Sequence, residues 1–119
     1  MIIKVNINGV NKTLDIEPHD FLIDVLRRNG YLSVKRGCDT GVCGVCTVLI
    51  EGEPTLSCSF LAARADGKKI LTIEGVQEQA REVGSYLVSE GVDQCGYCSP
   101  GLILTTIAMK TQLDNPTEE

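Results

Sequence analysis

A chain of 119 residues holds one ordinary domain or two very small ones and leaves no room for a separate catalytic domain. With no Trp, 3 Tyr and 2 Phe, its core has to be built from Val, Ile, Leu and Ala, and a small core of that kind benefits from a staple, which the 6 Cys can supply. The 16 acidic residues outnumber the 11 basic ones for a net charge of -5, which disfavours nucleic acid and anionic membrane as partners, and no apolar run approaches the roughly 20 residues of a membrane span.

The first residues, Met1-Ile2-Ile3-Lys4-Val5-Asn6-Ile7, alternate like a strand and lack the apolar stretch of a signal peptide, so an intracellular, cytoplasmic location is expected. In that reducing compartment Cys serves as metal ligand or redox group rather than in disulfides. Asn8-Gly9 is the dipeptide of a type I′ hairpin turn, with Leu14 and Ile16 resuming the alternation on the return strand. Asp20 is the expected N-cap of a short helix with the stripe Phe21, Leu22, Val25 and Leu26, ended by Gly30. Residues 37–44 read as a glycine-rich loop and 45–50 as a strand, turned back by Glu51-Gly52-Glu53-Pro54. One more strand is expected from Lys69 to Ile73. After Gly75 the periodicity becomes helical, which puts a boundary near residue 75. Val76, Ala80, Val83 and Leu87 form one helix face. Ser99-Pro100 then opens a second helix whose apolar residues are Leu102, Ile103, Ile107 and Leu113.

Cys38, Cys43, Cys46 and Cys58 follow a C-x4-C-x2-C-x11-C spacing, and the first three match the plant-type 2Fe-2S ferredoxin pattern. A hairpin centred on Gly52 sets Cys46 opposite Cys58, at about 5 Å between Cα atoms. Gly37, Gly41 and Gly44 let backbone N–H groups turn inward toward sulfur without Cβ clashes, and such groups tune potential. The plainer alternative is a zinc site from Cys43-x2-Cys46 with Cys95-x2-Cys98, which leaves Cys38, Cys58 and the glycines unexplained.

KRGCDTGVCGVCTVLIEGEPTLSC, residues 35–58, followed by QCGYCSPG, residues 94–101, resembles the iron-sulfur subunit of the molybdenum hydroxylase family, across essentially the whole chain. The resemblance implies an α+β protein: a plant-ferredoxin-like β-grasp domain over residues 1–75 and a small helical-bundle domain over 76–119. It further implies a noncatalytic electron-transfer subunit that relays electrons from a molybdopterin-binding large subunit toward an FAD-binding medium subunit. By the same resemblance Cys38, Cys43, Cys46 and Cys58 hold the flavin-side 2Fe-2S cluster. Cys95 and Cys98 would hold half of a second, pterin-side one, and Gln94 would contact the pterin. The family supplies the other two ligands of that second cluster from a later C-x-C, and no Cys follows Cys98 here. Asn115-Pro116-Thr117-Glu118-Glu119 reads as a helix start left unused, so the helical domain is expected to be cut short and the second cluster conditional on ligands from elsewhere. The competing readings are a free-standing 2Fe-2S ferredoxin and a zinc-bound structural module. His19 is assigned no role. Lys35 and Arg36 are a basic pair beside the cluster loop, and Tyr97 is a wedge near the second site.

Overall fold

The computed structural model describes residues 1–38, 41–91 and 98–112. Strands β1 (Ile2–Ile7) and β2 (Val10–Asp15) pair antiparallel, from Ile7↔Val10 to Ile2↔Asp15. Asn8 and Gly9 both take positive φ, 55° and 86°, as a type I′ turn requires. Helix α1 (Leu22–Arg28) ends in a Schellman motif, with Tyr31 N–H on Leu26 O at 3.0 Å and Gly30 N–H on Arg27 O at 3.2 Å. Its start departs from expectation. Phe21 is the cap residue and makes no side-chain capping bond. The Asp20 carboxylate instead accepts from Glu17 N–H and from the Arg28 guanidinium, both at 2.9 Å, because a charged donor binds it more strongly than a neutral helix amide.

Strands β3 (Thr47–Ile50), β4 (Glu53–Leu56) and β5 (Lys69–Leu71) complete a mixed sheet of order β2-β1-β5-β3-β4, in which only β1 and β5 run parallel. β5 is shorter than expected because residues Ile73–Gly75 wind into a 3-10 turn. On one face Ile3, Val5, Ile7, Leu14, Val48, Ile50 and Ile70 pack against Leu22, Ile23, Val25 and Leu26 of α1 to form the main core.

Helix α3 (Ser99–Gln112) packs on the opposite side of β3, and helix α2 (Gln77–Ser89) packs in turn on α3. The expected α2 face packs as its periodicity implies, with Val83 buried and Val76, Ala80 and Leu87 beside it. α3 buries two rows: Leu104 and Ala108 on Leu49 of β3, and Ile103 and Ile107 on α2. Leu102, expected inside, is 46% exposed, and Leu113 lies outside the described residues. A helix with two neighbours has two buried rows, so an apolar pattern read as one stripe finds only part of them. All four residues of β3 are buried because both faces of the strand are covered: the apolar Val48, Leu49 and Ile50, and the polar Thr47, which bonds Gly44 O. The architecture is a β-grasp with an appended helical unit, the α+β arrangement that the resemblance implied.

Candidate metal centre

The β3–β4 turn consists of Glu51 and Gly52 alone, at φ 51° and 84°, so the strands pair from Ile50↔Glu53 to Thr47↔Leu56. Continuing the ladder sets Cys46 opposite Ser57 rather than Cys58. Ser57 N–H and hydroxyl both donate to Cys46 O, at 3.4 Å and 2.6 Å. The expected register was one residue out because a two-residue turn is centred between its residues, not on the glycine. Cys58 reaches Cys46 by another route: the chain winds into a 3-10 turn over Ser57–Ser59, within which the Cys58 side chain meets the Cys46 thiol. Burial pushes the Cys46 thiol up and contact with the Cys58 thiol adds to this, while the Cys58 N–H and the Ser57 hydroxyl oppose it.

The loop before β3 carries the other two cysteines. Cys43 N–H donates to Cys38 Sγ at 3.4 Å, and Gly41 and Gly44 hold φ near 75° and 76°, where an L side chain would be strained. Cys46 is buried, Cys38 and Cys58 are half-buried and Cys43 is exposed. The fold thus gathers these cysteines as two pairs, Cys38 with Cys43 and Cys46 with Cys58. Among the described residues no three Cys, His, Asp or Glu side chains converge to hold a metal ion. Cys98 is exposed at the start of α3, where Leu102 N–H donates to its carbonyl at 3.2 Å, so Cys98 rather than Ser99 stands at the cap. Gln94, Cys95 and Tyr97 lie outside the described residues.

Two contacts at the loop had no sequence signal. The first turn of α3 lies directly on the loop: a Cβ on Gly101 would stand 2.3 Å from Gly44 O and 3.2 Å from Val45 Cα. Thr47 donates its N–H and its hydroxyl to the same carbonyl, at 3.1 Å and 2.7 Å. The second contact is centred on Glu74, between β5 and α2. Its carboxylate accepts Ser33 N–H at 3.1 Å, the Thr72 hydroxyl at 2.8 Å and the Ser33 hydroxyl. Asn8 holds Thr72 in turn, accepting its N–H at 2.8 Å and donating to its Oγ1 at 2.9 Å. Burial opposes ionisation of Glu74, but the Ser33 and Thr72 donors outweigh it and hold the carboxyl below its ordinary range. His19 is exposed, and Arg36 pairs with Asp24 at 3.1 Å.

Soft thiol donors suit an iron-sulfur cluster or zinc, and three of them in a glycine-bearing loop with an N–H on sulfur fit the cluster. Residues 5–72 match the family described as 2Fe-2S iron-sulfur cluster binding domain, and residues 72–119 match a [2Fe-2S] binding domain. The nicotinate dehydrogenase small FeS subunit of Eubacterium barkeri is 42% identical over 120 residues, covering 98% of this chain and 76% of that one. The chain belongs to the iron-sulfur small-subunit family of the molybdenum hydroxylases. Another member of that family, the xanthine dehydrogenase iron-sulfur-binding subunit of Escherichia coli O157:H7, is 45% identical over 109 residues, covering 90% of this chain and 69% of its own. Quinoline 2-oxidoreductase from Pseudomonas putida 86 contains a chain that superposes with a TM-score of 0.89 at 35% identity, over 98% of this chain and 74% of that one. As a family member the chain is a 2Fe-2S electron-transfer subunit of an oxidoreductase complex and is not itself the catalytic unit. The zinc-module and lone-ferredoxin readings are not favoured.

Proposed function

We propose that Cys38, Cys43, Cys46 and Cys58 hold one 2Fe-2S cluster, through which the chain passes electrons from a molybdopterin-binding large subunit to an FAD-binding medium subunit. The observation that carries this reading is the meeting of Cys46 and Cys58 beside the loop in which Cys43 N–H faces Cys38 sulfur. A bound cluster would supply one-electron chemistry at this site. The protein's part is to desolvate Cys46 on the core, to bring Cys58 to it, and to aim loop N–H groups at sulfur. Residues 1–75 make up the unit bearing this site, and 76–119 the helical unit that faces the molybdopterin subunit. Gln94 contacts the pterin, and Cys95 and Cys98 form half of a second site that is completed only if further ligands are supplied.

Thiols kept as ligands fit a reducing compartment, and the cytoplasm is the proposed location. Among the described residues no helix is long and apolar enough to cross a membrane. Iron and labile-sulfide assay of the isolated chain tests the assignment. About two irons per chain with one EPR signal on reduction is expected. Colourless protein with stoichiometric zinc would overturn the cluster, and about four irons with two signals would overturn the reading that this chain alone holds a single cluster.

A further inference from the structure

We propose that α3, through Gly101, is the positioning element of the cluster-binding loop, so that a displacement of this helix resets the reduction potential of the cluster. The inference rests on the assignment of Cys43 and Cys46 as ligands and goes beyond it. Gly44 lies between those two cysteines, and its carbonyl is held from two sides. Thr47 donates to it twice, at 3.1 Å and 2.7 Å, and the α3 backbone closes on it at Gly101, where even a methyl group would stand 2.3 Å from the oxygen.

Glycine is a poor residue inside a helix, and alanine would serve α3 better there. Its presence at position 101 is explained by the backbone lying against it, since Gly44 O, Gly44 C and Val45 Cα are main-chain atoms that cannot rotate out of the way. The Gly44 conformation, at φ 76°, fixes the direction of its two adjoining peptides, Cys43–Gly44 and Gly44–Val45, and the first of these joins directly to the peptide whose N–H Cys43 donates to Cys38 sulfur. N–H dipoles aimed at sulfur favour the reduced, more negative cluster. Pushing α3 away from Gly44 loosens that aim and lowers the potential.

The test uses the full, cluster-loaded chain, with redox titration followed by absorbance and EPR, and amide hydrogen exchange as a readout of the loop itself. Gly101→Ala is expected to lower the one-electron equilibrium constant about tenfold, about 59 mV, and to speed exchange at Gly44 and Val45. Gly84→Ala is the control on α2, because a Cβ there meets only Ile103 Cδ1 at 3.9 Å, and it should leave the potential unchanged. Thr47→Val removes the hydroxyl bond to Gly44 O and should shift the potential in the same direction, with Thr47→Ser restoring it. This pair decides the matter if Gly101→Ala does not fold. A Gly101→Ala chain that melts earlier yet keeps the wild-type potential and EPR signal would overturn the proposal, as would equal potentials for Thr47→Val and Thr47→Ser. Wild-type protein without labile sulfide would overturn the ligand assignment and this inference together, and its absorbance tells that case apart before any variant is made.

Discussion

The Glu74 carboxylate takes two donors from Ser33, on the segment entering the cluster loop, and one from Thr72, at the end of β5. It therefore ties together two parts of the chain that are 41 residues apart. Glu74→Gln keeps the shape but weakens acceptors that were charged, and for a partly exposed site a loss of roughly 1 kcal/mol at neutral pH is expected in urea unfolding. Because the folded carboxyl sits below its unfolded value, its stabilisation is full above the ordinary carboxylate range and disappears as pH falls through the folded value. Wild type and Glu74→Gln should accordingly converge in stability in acid. At the proposed cluster site, Cys43→Ser is the cleanest removal of a ligand, because Cys43 is exposed and its loss disturbs the core least. It should abolish labile sulfide and the visible spectrum and lower the melting temperature, since metal binding and folding are coupled in so small a core.

At the scale of the elements, Gly75 and Asn8 form a tight joint. A Cβ on Gly75 would stand 2.3 Å from Asn8 Oδ1 and 2.5 Å from Asn8 Cγ, so Gly75→Ala must displace the side chain that both caps and supports Thr72. Thermal melting should register a loss of about 1–3 kcal/mol. Features of this kind separate what the sequence discloses from what it conceals. The Asn8-Gly9 hairpin, the Gly30 helix end and the cysteine spacing depend on neighbours within a few residues, and they are legible. The pairing of Cys46 with Ser57 hinges on whether the turn holds two residues or more, which Glu51-Gly52-Glu53-Pro54 leaves open. Asp20 reads as a cap until Arg28 competes for it. The roles of Glu74 and Gly101 are hidden because their partners, Ser33 and Gly44, come from remote stretches of chain, and a lone Glu or a helix glycine has no local pattern to announce it.

Across the whole molecule, α3 is the piece that joins sheet to helical unit. Leu104 is 1% exposed and lies on Leu49 and Ala108, so Leu104→Ala should lower stability by about 2–5 kcal/mol in denaturant melts and loosen the helical unit before the main core. The double covering of β3 has a further consequence, for portability. A fragment cut off before α2 would keep its α1-side core, yet leave the cysteine loop without α3 and present Leu49 and Leu71 bare to solvent on the other side. Such a fragment would be sticky, and size-exclusion chromatography of residues 1–75 should find it self-associated, with Leu49→Lys returning it to a monomer. Recombination that copied only the cysteine-bearing half into another protein would inherit that adhesive strip along with the metal site, so the two halves travel best as one transferable piece.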